Sequence, residues 1–140
     1  MSKEMAYVGK VLDTVIKRNP GEPEFHQAGD EVIRRVSDLI TNNMRKSDLS
    51  ARYGGDEFVT VLSETGGEGS MTFAERIRLA VEKYTVKYGD PLKEKELKVT
   101  VSIGIAELKE GETHIQLVEK ADKALYAVKK RGRNGVKLAE

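Results

Sequence analysis

The stretch that decides the fold of this 140-residue chain is Arg52-Tyr53-Gly54-Gly55-Asp56-Glu57-Phe58. Short β-prone runs flank it, and glycine allows the positive φ angles that a tight hairpin turn needs. The pattern therefore predicts a β-hairpin with two carboxylates at its tip. Such a pair offers oxygen ligands to a divalent cation, and glycines without Cβ atoms let a nucleotide approach the backbone. A common polar turn with solvated acids is the alternative interpretation.

The sequence on both sides of this hairpin alternates between helix and strand patterns. Apolar residues at helical spacing predict an amphipathic helix over residues 3–18. The order of the elements predicts an α+β fold, with helices packed on a mainly antiparallel sheet. The other predicted elements are a helix from about Glu24 to Asn43, a helix from Met71 to about Lys87 capped by Ser70, a strand from Lys98 to Leu108, a helix from Thr113 or His114 to Gly132, and an edge strand at Val136–Leu138. The strand residues expected in the core are Val59, Val61, Val99, Val101, Ile103 and Ile105.

Composition excludes several classes of site. The chain has no cysteine and only two histidines, which argues against disulfides, thiolate chemistry and a histidine-built metal centre. Its formal net charge of +1 gives no global field for nucleic acid or an anionic membrane. No apolar run approaches the roughly 20 residues of a membrane helix. We therefore expect a soluble, cytoplasmic protein without nucleic-acid or membrane partners, whose metal site would be built from carboxylates.

Further motifs stand in order along the chain. They are Gly29-Asp30-Glu31-Val32, Arg45-Lys46-Ser47-Asp48, Ala74-Glu75-Arg76-Ile77-Arg78, Val99-Thr100-Val101-Ser102-Ile103-Gly104-Ile105, and the stretch from Leu125-Tyr126-Ala127 to Gly132-Arg133-Asn134. Together with the hairpin, they resemble the GGDEF family of diguanylate cyclases over about residues 26–137. Five residues separate Asp48 from Gly54, which is the family's spacing. The resemblance implies a palm-like nucleotide-cyclase fold with a ferredoxin-like core.

The resemblance also implies a role for each matching residue. Asp56 and Glu57 take the catalytic and metal-binding positions, for Mg²⁺ or Mn²⁺, and Gly54 and Gly55 lie against the substrate. The implied substrate ligands are Asp30 at the guanine edge and Lys129 and Arg133 at the triphosphate, and the implied inhibitory product site is Arg45, Asp48 and Arg76. Taken alone, the Lys129 and Arg133 pair is also ordinary for the basic end of a helix, and Arg45 with Asp48 for an exposed ion pair.

The implied reaction joins two GTP molecules into cyclic di-GMP and releases pyrophosphate, as in bacterial second-messenger signal transduction. Each domain holds one GTP, and two domains meet face to face as a homodimer. Cyclic di-GMP returns to the inhibitory site as a second ligand.

The N-terminal part departs from the family. The family has an apolar strand ending in a metal-binding aspartate before its first helix, and here residues 4–28 instead resemble the N-terminus of glutamate dehydrogenases. We therefore divide the chain into an N-terminal helical segment, residues 1–28, and a GGDEF domain, residues 29–140, joined by a natural fusion or artificially. The family's metal aspartate falls on Asp13 when residues are counted back from Asp30 without gaps. Helix periodicity and Gly9 and Lys10 favour a helix here, in place of the family's first strand.

Two functions follow from these patterns. The first is a diguanylate cyclase whose activity is reduced or lost because its first metal-binding strand is not recognisable. The second is a catalytically inactive module that binds cyclic di-GMP or GTP as a receptor. The sequence leaves open the activating signal, the oligomeric state and the conformation of residues 7–13, which decides whether Asp13 takes part.

Overall fold

The computed structural model describes residues 5–8, 12–13, 23–53 and 57–140, with residues 5–8, 12–13 and 23–26 described through their backbone only. Three helices and nine strands make up this part of the chain. In order they are β1 (Met5–Val8), β2 (Leu12–Asp13), α1 (Pro23–Asn42), β3 (Leu49–Arg52), β4 (Phe58–Ser63), α2 (Gly67–Glu82), β5 (Thr85–Tyr88), β6 (Lys95–Lys98), β7 (Thr100–Val101), β8 (Ile103–Glu107), α3 (His114–Lys130) and β9 (Val136–Leu138).

A five-stranded sheet with the order β3-β4-β1-β8-β9 is the centre of the fold. Its neighbouring strands are antiparallel except for β8 and β9, which are parallel. Two smaller antiparallel pairs, β2 with β7 and β5 with β6, accompany it. The predicted α+β fold with a mainly antiparallel sheet is therefore confirmed, as is the edge strand at Val136–Leu138.

The N-terminal helix predicted over residues 3–18 is wrong for the part that the structure describes. Met5–Val8 is instead the central strand of the sheet, hydrogen-bonded to β4 on one side and to β8 on the other. Hydrogen bonds to both neighbouring strands satisfy the backbone N–H and C=O groups of this segment without a helix. Local apolar periodicity does not reveal this pairing, because the partner strands are distant in the sequence. Leu12–Asp13 forms a further short strand that pairs with β7.

The two N-terminal strands, β1 and β2, pair with β8 and β7 in the same register. Val8 lies opposite Ile105, and Leu12 lies opposite Val101, four residues further along one strand and four residues back along the other. The β2–β7 pair therefore continues the line of the β1–β8 pair. This continuity gives the chain a first strand segment in the place where the sequence pattern had suggested none.

Strand β8 is covered on both faces, which explains why its first four residues are all buried. Ile103 and Ile105 pack in the main core cluster with side chains of α1 and α2. The alternate residue Gly104 faces α3, since a Cβ at this position would lie 2.2 Å from the carbonyl oxygen of Ala121. Ala106 packs with Leu117 and Ala121 in a second cluster. The sheet is thus a layer between α1 and α2 on one face and α3 on the other.

Several boundaries differ from the sequence expectation. Helix α2 begins at Gly67 with Gly66 as its N-cap, so the cap predicted at Ser70 is wrong, and the buried Ser70 hydroxyl instead donates to the Gly66 carbonyl at 2.9 Å. The same helix ends at Glu82, and the residues predicted as its last turn form β5. In β4 the fully buried positions are Phe58, Thr60 and Leu62 rather than Val59 and Val61, which are half-buried.

The start of the last helix agrees with prediction. Thr113 is the N-cap of α3 and forms a capping box with Gln116, in which each side chain accepts a hydrogen bond from the other residue's backbone N–H. Reciprocal caps of this kind satisfy two of the free N–H groups at a helix start. The α3 start is therefore fixed locally, at the sheet end opposite to the β3–β4 turn.

Candidate active site

The β3–β4 hairpin is present as the sequence predicts. Its strands pair from Leu49 opposite Val61 to Arg52 opposite Phe58, and the Tyr53 N–H donates to the Glu57 carbonyl at 2.6 Å. Glu57 is half-buried at the start of β4. The predicted tip residues Gly54, Gly55 and Asp56 lie outside the described residues.

Strand β1 runs toward the same end of the sheet as this tip. Its first residue, Met5, lies opposite Ser63, and its last, Val8, lies opposite Thr60, closer to the start of β4. Strand β2 continues in the same register and brings the backbone of Asp13 opposite Thr100. The strand therefore carries Asp13 toward the end of the sheet where the hairpin turns.

The basic residues predicted to bind triphosphate also lie at this end. Lys129 is in the last turn of α3, and Arg133 lies in the turn that leads into β9. That turn is attached to the start of β8, because the Ile103 N–H donates to the Gly135 carbonyl at 2.9 Å and Ile103 pairs with Val136. Arg133 itself is exposed, with a backbone φ of 67°.

Asp30 projects as an exposed residue from the first half of α1. The helix is fixed next to it, since the Tyr84 hydroxyl donates to Glu31 at 3.1 Å and the Arg35 guanidinium lies 5.3 Å from the centre of the Tyr84 ring. Burial, and then the hydrogen bond to Glu31, raise the pKa of Tyr84 above its usual value. These contacts between α1 and the segment after α2 hold Asp30 at a fixed place beside the sheet.

Arg45 and Asp48 belong to a turn that is held by hydrogen bonds, and they do not form a simple surface ion pair. The Asp48 carboxylate is buried and accepts the backbone N–H of Arg45 at 2.8 Å and that of Ser63 at 3.0 Å. The Arg45 side chain is 60% exposed, and its guanidinium donates to the Ser63 carbonyl at 3.1 Å and to the Thr65 hydroxyl. Asp48 thus shapes the turn, while Arg45 presents most of its surface to solvent.

Arg76 is the third member of the predicted inhibitory site. It is exposed on α2, and its guanidinium donates weakly to the Asn43 side chain at 3.4 Å. Asn43 follows the last residue of α1, two residues before Arg45. The structure therefore brings Arg76 and Arg45 to neighbouring parts of one surface.

The donor types at the hairpin suit a hard divalent cation, because Asp13, Asp56 and Glu57 all carry carboxylates. Side-chain geometry is described for Glu57 alone among these three. Within the described side chains, no group of three acidic or histidine residues forms another candidate metal site.

Sequence reasoning missed a network that links α2 to the Arg133 turn. Arg78 donates to Glu75 at 3.0 Å, to Glu82 at 3.2 Å and to the Asn134 side chain at 3.1 Å, and Asn134 donates in turn to Glu82. The hydrogen bond from Arg78 lowers the pKa of Glu75 below its usual value. Arg78 and Asn134 both lie inside recognised motifs, but no spacing rule predicts contact between residues 56 positions apart.

This arrangement of hairpin, helix end and central strand is that of a nucleotide-cyclase palm, and the chain belongs to the GGDEF family. The family model described as "Diguanylate cyclase, GGDEF domain" matches residues 26–135. Diguanylate cyclase A of Treponema denticola is 38% identical over 131 residues, which are 93% of this chain and 34% of that protein. The response regulator PleD of Caulobacter vibrioides is 40% identical over 114 residues, which are 79% of this chain and 24% of that protein.

A solved structure extends the similarity to nearly the whole chain. The GGDEF domain of DgcB from Caulobacter crescentus, in complex with c-di-GMP, superimposes with a TM-score of 0.83 at 34% identity, covering 97% of this chain and 77% of that one. The chain spans about a third or less of the length of the curated relatives named above. Within the described residues, no helix is both long and apolar enough to cross a membrane.

Proposed function

We propose that this chain is the catalytic domain of a diguanylate cyclase, which condenses two GTP molecules into cyclic di-GMP with release of pyrophosphate. The observation that carries the proposal is the convergence of chemistry at one end of the sheet. The carboxylate hairpin, the end of β1 and the turn that carries Arg133 all lie there. One of the named relatives, from Treponema denticola, is a diguanylate cyclase, which supports the same activity.

In this proposal the chain binds and orients one GTP. Asp30 accepts hydrogen bonds from the guanine edge, and Lys129 and Arg133 neutralise the triphosphate. Asp56 and Glu57 are the carboxylates that would hold the divalent cation, and this pair would accept the proton of the attacking 3′-hydroxyl. A Mg²⁺ or Mn²⁺ ion bound there would neutralise phosphate oxygens and polarise that hydroxyl.

Asp13 is proposed as a third carboxylate of the metal site. The sequence pattern favoured a helix over this segment, and in the described residues that helix is wrong. The backbone pairing of Leu12–Asp13 with β7, in the register of β1 and β8, supports this assignment. Whether the activity of this chain is reduced or lost stays a prediction.

The resemblance of residues 4–28 to glutamate dehydrogenase remains a proposal about origin. The family match begins at residue 26, near the proposed join at Ala28 and Gly29. Helix α1 passes through both residues, which are buried. No dehydrogenase activity is proposed, because the resemblance covers only this short segment. A cytoplasmic location, where GTP is available, belongs to the proposed function.

The test replaces each hairpin carboxylate by its amide. Asp56→Asn and Glu57→Gln should each lower the rate of cyclic di-GMP formation by about 100-fold or more, or about 2.7 kcal/mol in the activation barrier, because each removes an anionic ligand from the cation. Asp13→Asn should raise the Mg²⁺ concentration needed for half-maximal rate. Product is measured by chromatography and pyrophosphate by a coupled assay.

Glu110→Gln is the matched control, since this exposed carboxylate follows β8 at the opposite end of the sheet. Its rate should equal that of the parent. A parent protein that binds cyclic di-GMP but forms no product from GTP would favour the receptor function instead. Full activity in Asp56→Asn or Glu57→Gln would exclude the hairpin as the metal site.

A further inference from the structure

The turn between α3 and β9 has an unusual backbone. Three consecutive residues, Gly132, Arg133 and Asn134, have positive φ angles of 117°, 67° and 49°. Glycine adopts this conformation at little cost, whereas arginine does so only when its surroundings hold it there. Arg133 is therefore presented in a conformation that other parts of the protein must maintain.

Asn134 makes the contacts that hold the Arg133 backbone in this conformation. Its backbone N–H donates to the hydroxyl of Ser102 at 3.2 Å, and Ser102 is buried between β7 and β8. Its side-chain oxygen accepts from Arg78 at 3.1 Å, and its side-chain NH₂ donates to Glu82. The residue next to Arg133 is thus attached to both the sheet and helix α2.

The Arg78 side chain uses its hydrogen-bond donors within this network. Its side chain is only 16% exposed, and its guanidinium bonds to Glu75, Glu82 and Asn134 together. An arginine whose donors are used in this way has little capacity left for a phosphate ligand. Its contribution to a nucleotide site at this end of the sheet must therefore act through the turn that it holds.

We propose that Arg78, Glu82 and Asn134 are positioning residues that fix the Arg133 turn for binding of the GTP triphosphate. The inference rests on the proposed function, in which Arg133 contacts the triphosphate. The donor and acceptor pattern is specific. Asn134 offers an oxygen to the cationic Arg78 and an NH₂ group to the anionic Glu82, and only an amide in this orientation satisfies both.

The test exchanges the amide and the carboxylate between two positions. Asn134→Asp keeps an acceptor for Arg78 but places a second carboxylate against Glu82. It should weaken Mg²⁺–GTP binding roughly tenfold, the size of one charge-assisted contact, and raise KM with little change in kcat. In the double variant with Asn134→Asp and Glu82→Gln, one carboxylate and one amide again face each other, each at the other's original position. The affinity of this double variant for Mg²⁺–GTP should return to within about twofold of the parent.

Calorimetry with Mg²⁺ and GTP, steady-state kinetics and the Tm are measured for each variant. Glu68→Gln, an exposed carboxylate in the first turn of the same helix, is the matched control and should behave as the parent. Rescue of GTP affinity by the double exchange supports the proposal. Parent-like affinity in Asn134→Asp overturns it, as does a loss that the exchange leaves unrescued while Tm falls. Unchanged affinity in Arg133→Ala would instead refute the triphosphate role of Arg133, the part of the proposed function on which this inference rests.

Discussion

Arg45 and Asp48 are three residues apart, but their side chains have different tasks. The Asp48 carboxylate is buried, and both of its oxygens accept backbone N–H groups. Arg45 uses part of its guanidinium on Ser63 and Thr65 and leaves most of its surface open to solvent. We therefore expect Asp48 to define the shape of a product-binding turn, and Arg45 to contact the product directly.

Removing the arginine should separate these tasks. Arg45→Ala should weaken binding of cyclic di-GMP by about 1–3 kcal/mol, because a guanidinium presents a planar fork suited to phosphate and to the guanine acceptor edge. Titration calorimetry of the purified protein measures the loss. Lys46→Ala, the exposed neighbour in the same turn, is the control and should bind as the parent. Equal affinity in Arg45→Ala and the parent would contradict an inhibitory site at this turn.

Among the elements, α3 and β8 pack unusually closely at Gly104. A Cβ on this residue would lie 2.2 Å from the Ala121 carbonyl oxygen and 2.4 Å from the Leu125 backbone nitrogen. These neighbours are backbone atoms of a helix, so they cannot move aside alone. Gly104→Ala should therefore lower the free energy of unfolding by about 3 kcal/mol, at the upper end of the usual cost of overpacking. Urea denaturation followed by circular dichroism measures this change.

The same substitution at another glycine is the control. A Cβ at Gly69, in the first turns of α2, would meet only the Thr65 methyl group at 3.0 Å. Because alanine is a better helix former than glycine by about 1 kcal/mol, Gly69→Ala should be neutral or slightly stabilising. A Gly104→Ala variant as stable as this control would show that α3 is not held against β8 by close backbone contact.

Sequence patterns predict elements well where local signals decide them. The start of the last helix at Thr113 or His114 and the hairpin after Arg52 were both predicted, because the signals for each lie in adjacent residues. The strand at Met5–Val8 was not, since its apolar spacing also fits a helix face. Pairing with β4 and β8, whose residues are about 50 and 100 positions away, decides between the two conformations. The Arg78–Asn134 contact could not be predicted for the same reason.

At the scale of the whole molecule, one end of the central sheet collects the proposed catalytic groups. Residues that were assigned separately from motifs, such as Glu57 and Arg133, are brought there by the order of the strands. The motifs predicted which residues are involved, and the order of the strands places these residues at the same end of the sheet. The proposed inhibitory turn at Arg45 instead precedes β3, so the proposed product-binding and catalytic sites lie at different ends of that strand.

A single domain with one such site holds one GTP, whereas the proposed product contains two guanosine units. We therefore propose that two copies of the chain meet with their sites face to face, and that the active species is a dimer. While most of the protein is monomeric, the rate of cyclic di-GMP formation should rise roughly fourfold for each doubling of protein concentration at saturating GTP. Joining two copies by a flexible linker should make the rate simply proportional to concentration, because the second domain is then always near. Initial rates over a dilution series of both proteins measure this dependence. A rate per domain that stays constant down to the lowest measurable concentration, in the unlinked protein, together with a monomeric mass by light scattering, would refute the dimer.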